Sequence, residues 1–394
     1  MDTVILKIYG PKKFSFTKKD WFLPEINSRK YHELSPTEQL SNRMYLRRFV
    51  LKAPHQSRYT PKIDVLETLD REHKTIVYVL IAEFSVPKLL YGNSLQEVSD
   101  KDLGKVVTVF RDVLLRVGIQ VENEAVASAR VSAVHFCKNV PLPKDIRLQD
   151  ILAELQRVDI SKVFDITTKE TKNGGQVLHI YSGTIERVFY DKVKDALRPK
   201  VKRKDKGHID YEREVIEKYH LQNIEVFRYE YRIKKTQTVQ RDINLALERK
   251  PKTYVAFRDL FTDGLPSKVL LKSWRDMIDS PENQLALIGP VDSFRVLQRI
   301  VEGARAQGGA HSMNHALIAY GLTCIIRDHG VKEFRRLIFS HWNGDHPERL
   351  NRKLAQASEL TKGLPYSNGV AFVDGQIEKY ELITRSLLDS CTVQ

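Results

Sequence analysis

The amino-acid sequence predicts an α+β protein: two βαβ-type halves that form antiparallel-rich sheets with helices packed on them, followed by an all-helical C-terminal domain. Three observations carry that expectation. Between residues 59 and 236, strand-length runs of β-branched, aromatic and alternating residues take turns with one-sided helical periodicities. Two such runs, Val177 to Tyr181 and Ile185 to Tyr190, flank Ser182-Gly183-Thr184 and read as a β-hairpin. Beyond about Gln237 only helical periodicity remains, broken by Pro and Gly. The expected divisions are 1–58, an N-terminal strand with a basic elaboration; 59–236, the α+β domain; and 237–394, the helical domain.

Composition narrows the partners. The 394 residues are 42% hydrophobic and 29% charged, as in ordinary globular chains, and no run approaches the roughly 18 apolar residues of a membrane span. MDTVILKIYG lacks a basic region followed by an apolar core, so it reads as a strand and the mature protein is expected to begin there. Cys137, Cys324 and Cys391 are far apart and odd in number, which argues against a disulfide framework or a cysteine zinc site and fits a reducing cytoplasm. An excess of 64 Lys plus Arg over 50 Asp plus Glu gives a net charge of +14, the footprint of a phosphate-backbone partner. A ribosomal or membrane-surface partner would suit the same charge.

Taken in order, Met1 to Tyr9 alternates as a strand, and Pro11 to about Arg58 is polar, basic and irregular. Ser35-Pro36 marks a helix start there, with Leu46, Phe49 and Val50 spaced as its buried stripe. Two strands follow from Tyr59 to Pro87, turning at Leu69 to His73; Thr75 to Phe84 is nearly continuous in apolar residues, like a strand buried on both faces. Glu83 interrupts it. A carboxylate in so apolar a strand has to be paired, metal-bound or protonated, unless it points outward near the strand end.

Ser99 or Asp100 caps a helix to about Val117, with Val106, Val107, Phe110 and Leu114 on one face and Gly118 ending it. A strand near Ala125 to Phe136 then closes a βαβ unit. A helix from about Leu148 to Val158, a strand near Val163 to Thr167 and the Asn173-Gly174-Gly175 turn lead into the hairpin. Alternation along its second strand puts Glu186, Val188 and Tyr190 on one face and Ile185, Arg187 and Phe189 on the other. The basic stretch Lys192 to Lys206 includes Lys200, Lys202, Arg203 and Lys204; it has the composition of a solvated loop and of a phosphate-holding segment alike. Tyr211 to His220 reads as a helix and Ile224 to Ile233 as an alternating strand, completing the second half. Glu230 shares a face with Arg228 and Arg232, as a cross-strand salt bridge would, or as a metal ligand would with arginines on flanking phosphates.

The helical domain is expected at Asp242–Arg249, Tyr254–Phe261, Lys268–Met277, Val291–Gly303, Ser312–His329 and Lys332–His341. Within the last two, Leu317 to Ile326, Gly330 and Phe334 to Phe339 have the order of a helix-turn-helix of the kind that reads duplex DNA, but pairs joined by Gly are common in any bundle.

Ala82-Glu83-Phe84-Ser85-Val86-Pro87-Lys88-Leu89-Leu90-Tyr91-Gly92-Asn93-Ser94 resembles the E-F-S-x-P-K-L-L-x-G-N stretch of phage and plasmid replication proteins of the gene II/X type, relatives of rolling-circle initiators. Every specified position is matched without a gap. Tyr181-Ser182-Gly183 followed by Val188-Phe189-Tyr190-Asp191-Lys192 is similar to the segment that carries that family's nucleophilic tyrosine. Phe227 to Arg232 resembles its closing L-R-x-E-x-R strand, with Phe227 in place of the leucine. One position departs: where the family has arginine, a hydrophobic residue and aspartate, this chain has Ala133-Val134-His135.

The resemblance covers roughly residues 59 to 235. It implies a two-sheet domain that nicks origin DNA and becomes joined to its 5′ phosphate through a tyrosine, with a divalent metal, Mg²⁺ or Mn²⁺, held by Glu83, His135 and Glu230. Tyr190 suits the nucleophile, at a strand end directly before Asp191-Lys192 and the basic loop; Tyr181 is the alternative, and Lys192 is expected to assist. Arg187, Arg228 and Arg232, with Lys200, Lys202, Arg203 and Lys204, are the expected DNA contacts. Origin DNA, single-stranded or extruded, is the expected partner, with a host helicase because no GxxxxGK[ST] element is present; a homodimer is left open. Two competing readings are a non-catalytic DNA-binding or copy-control protein on the same fold and an RNA-binding module, whose K/R-G-F/Y-G/A-F-V-x-F/Y signature is missing.

Overall fold

The computed structural model describes residues 1–10, 13–24, 47–51, 59–70, 75–160, 168–172, 176–181, 183–198, 211–306, 312–341 and 347–385. Twelve strands are described: β1 Thr3–Tyr9, β2 Phe14–Phe16, β3 Phe22–Pro24, β4 Arg47–Leu51, β5 Lys62–Asp70, β6 Thr75–Ser85, β7 Ile119–Val121, β8 Arg130–Pro141, β9 Thr168–Lys172, β10 Val177–Tyr181, β11 Ile185–Asp191 and β12 Val226–Ile233. Ten form one antiparallel sheet in the order β3-β4-β5-β6-β1-β8-β12-β11-β10-β9, while β2 and β7 pair separately. The helices are α1 Val86–Tyr91, α2 Leu103–Arg116, α3 Asn123–Ala127, α4 Leu148–Arg157, α5 Lys192–Leu197, α6 Tyr211–Lys218, α7 Thr236–Ala246, α8 Leu265–Ile278, α9 Pro281–Ala286, α10 Ser293–Ala306, α11 Ser312–His329, α12 Val331–His341, α13 Pro347–Leu360 and α14 Asn368–Lys379.

The protein is α+β, a large antiparallel sheet followed by a helical C-terminal region. Its two halves share that sheet, where the resemblance implied two sheets. β1 lies between β6 and β8 and runs antiparallel to both, so β6 and β8 are parallel and α2 is their crossover. β12 likewise separates β8 from β11, which makes those two parallel. The strand order thus places β12 at the join of the second unit, with neighbours on both sides. Its alternation then decides what each face holds: Phe227, Tyr229, Tyr231 and Ile233 on one, Arg228, Glu230 and Arg232 on the other.

On the first of these faces, Phe189 stacks on Tyr229 with ring centroids 5.0 Å apart, and the fully buried Trp274 of α8 lies 5.7 Å from Tyr229. Burial of an aromatic ring of this size removes 150–250 Å² from water, which ties α8 to the sheet. Val239 and Ile243 of α7 and Val370, Val373 and Ile377 of α14 belong to this same core. A second core gathers Leu285, Val296, Ile300, Ile326, Phe334, Leu354 and Leu360 from α9 to α13. The second core is therefore confined to α9–α13 while α14 returns to the first, and the change of periodicity near 237 marks only the end of the last strand.

Several elements differ from expectation for identifiable reasons. Arg47–Leu51 is a strand, with Phe49 opposite Val65, so the Leu46, Phe49 and Val50 spacing is no helical stripe; the Ser35-Pro36 helix lies outside the described residues. The alanine-rich start of the expected strand at 125 is helix α3, and the strand begins only at Arg130. The strand near Val163 to Thr167 is outside the described residues, but β9 begins at Thr168. Helices α1, α5, α9, α13 and α14 were not foreseen, and α5, capped by Asp191, takes the first six residues of the expected basic loop; Ser280-Pro281 and Ser367 mark the starts of α9 and α14, where Ser280 and Ser367 accept from the backbone N–H of Asn283 and Val370.

The α11–Gly330–α12 pair packs against the C-terminal end of α4 and against α9. Gly330 has φ +81°, a Cβ there would lie 3.0 Å from the Arg157 carbonyl oxygen, and Arg335 of α12 reaches Asp159 and Glu282 at 3.1 and 3.2 Å. Among the described residues no helix is long and apolar enough to cross a membrane.

Gly118 ends α2 as the sequence suggested, at φ +86°, and a Cβ on it would sit 2.6 Å from Lys18 Cβ. Gly118→Ala is expected to lower stability by about 2–3 kcal/mol, about 1–2 kcal/mol from the left-handed backbone and the rest from that contact. A reduced urea midpoint at unchanged m-value checks it; a midpoint within error of the parent overturns it.

Candidate active site

Register brings three rows of side chains onto one face of the sheet. Asn139, Arg228, Tyr190 and Val177 lie side by side across β8, β12, β11 and β10; the next row is Cys137, Glu230, Val188 and His179; the third is His135, Arg232, Glu186 and Tyr181. Glu186, Val188 and Tyr190 share this face as alternation predicted. Tyr181 and Tyr190 stand in the outer rows, at opposite ends of the hairpin.

The centre is a carboxylate between two guanidinium groups. Tyr190 Oη donates to Glu230 Oε1 at 2.5 Å, Arg228 Nε to the same oxygen at 2.6 Å, and Arg232 Nε to Oε2 at 2.7 Å. Burial alone would raise the Glu230 carboxyl, but Arg228 and Arg232 outweigh it and hold it well below the usual carboxylate range. Burial pushes the half-buried Tyr190 phenol well above 10; Glu230 adds to that shift and Arg228 opposes it. At neutral pH the pair is therefore phenol and carboxylate. Beside them, burial and Arg232 hold His135 below its ordinary 6.5 against the pull of Glu230, Asp2 and Glu83, so its imidazole is neutral. Lower on the face, Glu186 contacts Lys234 and lies 3.5 Å from Arg232 and 3.3 Å from His179 Nε2.

The E-F-S-x-P-K-L-L-x-G-N stretch supplies the wall around Arg228. Ser85 ends β6 and caps α1, Pro87 sits in the first turn, and Gly92 closes the helix at φ +74°. That turn leads into Asn93 and Ser94. Arg228, 1% exposed, donates to the Ser94 carbonyl at 2.8 Å and to Asn139 Oδ1 at 3.2 Å, and pairs with Asp2 at 3.1 Å; Ser85 Oγ holds Asp2 at 3.2 Å. Further along, Glu97 accepts from Lys138 Nζ at 2.7 Å, the Asn139 N–H at 2.6 Å and the Ile383 N–H at 3.0 Å, fastening the segment after α14 to this wall.

A second buried pair backs the loop. Glu212 of α6 accepts from Ser94 Oγ and from Lys192 Nζ at 3.0 Å, with Lys88 Nζ at 3.6 Å. Burial would raise this carboxyl, but Lys192 and Lys88 hold it well below its ordinary 4.5. A carboxylate whose value is lower folded than unfolded adds stability that is present above the unfolded value and lost as pH falls through the folded one. The contribution is thus present above about pH 4.5 and fades below it. Glu212→Gln is expected to cost about 3 kcal/mol at pH 7 by leaving Lys192 without a counter-charge, and to flatten the loss of stability between pH 5 and pH 3. Urea unfolding across that range measures both; an acid profile parallel to the parent's would show that Glu212 is not the titrating group.

The predicted site residues divide accordingly. Tyr190, Glu230, Arg232 and His135 come together. Glu83 is on the same face but at β6, two and three strands from His135 and Glu230, or roughly 10–15 Å at ordinary strand spacing; its half-exposed carboxylate lies 3.5 Å from Lys62. Both oxygens of Glu230 are taken by Tyr190 and the arginines, and among the described residues no three His, Cys, Asp or Glu side chains are gathered closely enough to hold a metal ion. The expected ligand set does not fit a metal as it stands. Lys192 is committed to Glu212 and is buried, so it is not placed to assist at a phosphate. Arg187 and Arg228, 2% and 1% exposed, are not placed to contact DNA beside Tyr190: Arg187 is on the opposite face against Ser273, and Arg228 is enclosed by Asp2, Ser94, Asn139 and Glu230. Lys200, Lys202, Arg203 and Lys204 lie outside the described residues.

Asp2, Ser94, Asn139, Glu97 and Glu212 were missed as members of the site. Ser94 and Asn139 adjoin segments the motif flagged; nothing local marks Asp2, whose position depends on β1 entering between β6 and β8. Comparison of the chain with protein-family models, curated proteins and solved structures gives no match.

Proposed function

We propose that this protein initiates replication by nicking one strand of origin DNA through tyrosine transesterification, with Tyr190 as the nucleophile. The observation that carries the reading is the 2.5 Å Tyr190–Glu230 contact between two arginines, on a face walled by the replication-protein motif.

Attack by Tyr190 Oη on phosphorus forms the phosphotyrosine bond and breaks the bond to the 3′ oxygen, which leaves as a hydroxyl after taking up a proton. Because burial keeps Tyr190 protonated, its proton must depart during attack, and Glu230 Oε1 is in place to receive it. Paired with both arginines, Glu230 is a weak base. Arg232, 28% exposed, is the cation that an incoming phosphate can engage. A phosphate that draws Arg232 away removes one of the charges holding Glu230 low, so DNA binding itself raises the base. The bond energy is kept in the phosphotyrosine, which allows religation without a nucleotide, and a helicase partner supplies unwinding. The resemblance implies a divalent metal, but no step here is routed through one. A cytoplasmic location belongs to the same reading.

Incubation with labelled single-stranded origin oligonucleotides and a divalent metal, followed by denaturing electrophoresis, tests it. The expected result is a covalent adduct to the 5′ phosphate exposed at the nick, with a free 3′ hydroxyl on the other fragment. Binding without an adduct would favour the copy-control alternative, and preference for RNA would favour the RNA-binding one.

A further inference from the structure

A cavity of about 460 Å³ opens on the face of the sheet opposite Tyr190, within the size range of small-molecule sites. Arg187 and Tyr231, partners across β11 and β12, form its floor, and α7 and α8 form its walls. Arg187 Nε donates to Ser273 Oγ at 3.0 Å, and its guanidinium carbon lies 5.4 Å from the centre of the Tyr231 ring. The mouth carries Arg241, Lys268 and Lys272, with Leu245, 57% exposed, as an apolar edge. Arg241 and Lys272 are bonded to Asp242 and Asp276, at 2.6 and 2.9 Å. Four cations thus face two carboxylates, an excess of two positive charges in a recess whose floor is shielded from water.

We propose that this cavity binds a nucleotide-sized phosphate monoester, its phosphate between Arg187 and Lys268 and its less polar part along Leu245. A phosphate monoester carries about −1.5 to −2 charges at pH 7, which matches the excess, whereas a phosphodiester carries one. Arginine's planar donor fork suits phosphate oxygens, and a buried guanidinium acts through a lower dielectric than one at the surface. The site stands apart from the nicking centre, because alternation along β11 turns Arg187 and Tyr190 to opposite faces.

Isothermal titration of the full chain with thymidine 5′-monophosphate, thymidine and the dinucleoside phosphodiester TpT tests the proposal. Saturable binding of the monophosphate is expected, with thymidine and TpT weaker by about tenfold or more. Lys268→Gln combined with Lys272→Gln, both at exposed positions, is expected to weaken the monophosphate by about tenfold, while Arg232→Gln leaves it unchanged. No saturable monophosphate binding at millimolar concentration overturns the site, as does unchanged affinity in the double variant with its parental unfolding midpoint. Equal affinity for thymidine removes the phosphate from recognition, and equal affinity for TpT makes the cavity part of a DNA track.

Discussion

Tyr190→Phe is expected to bind origin DNA within about twofold of the parent and to lose nicking and adduct formation by about four orders of magnitude or more. The substitution keeps the ring, and with it the packing of β11, and removes only the oxygen that would bond to phosphorus. Glu230 retains Arg228 and Arg232, so the folded state loses one hydrogen bond, worth about 1 kcal/mol. A large change in DNA affinity is thus not expected, which separates this variant from one that merely unfolds. Tyr181→Phe should nick normally, since Tyr181 lies opposite Glu186, two rows from Tyr190 and two strands from Glu230. Adduct formation by Tyr190→Phe and its loss in Tyr181→Phe would move the nucleophile to the other end of the hairpin.

Arg228→Met carries the largest expected cost in stability, about 5 kcal/mol, at or above the usual range for breaking a buried ion pair because two carboxylates, Asp2 and Glu230, lose a cation at once. That is comparable to the whole stability of many domains. Arg232→Met should cost only about 1 kcal/mol, because this guanidinium is partly solvated and Glu230 keeps its other arginine. Urea unfolding of the two variants side by side checks the contrast. Equal losses would mean that the depth of Arg228 does not govern the network.

Short-range chemistry was legible in the sequence wherever one element decides it. Gly118 stops α2, the Gly183 turn forms a hairpin, and alternation sorts Glu186 and Tyr190 from Arg187. What could not be read was which strands become neighbours. The acid expected to bind a metal, Glu230, became instead the acceptor for Tyr190 once β11 and β12 paired in register, a contact set by residues 40 positions apart. Glu83 had the right chemistry and the right face but sits beyond β1, a strand inserted from the far end of the sequence. Arg187 and Arg228 looked like DNA contacts because charge in a strand is usually solvent-facing. Arg228 is covered by the Asn93-Ser94 turn, and Arg187 lies on the α8 face against Ser273, so neither charge is presented beside Tyr190.

The hold of Glu97 on Ile383 has a consequence for timing. The wall behind Arg228 is fastened by a bond spanning 286 residues, so a nascent chain emerging from the ribosome has the tyrosine and its acid long before it has the segment that closes the wall around them. Contacts of such long sequence separation form late in folding. Synthesis at about 5–20 residues per second leaves an interval of several seconds or more between the emergence of Tyr190 and that of Ile383. Throughout that interval the face that carries Tyr190 lacks its last brace, so under the proposed nicking reaction competence to cut DNA waits for completion of the helical region.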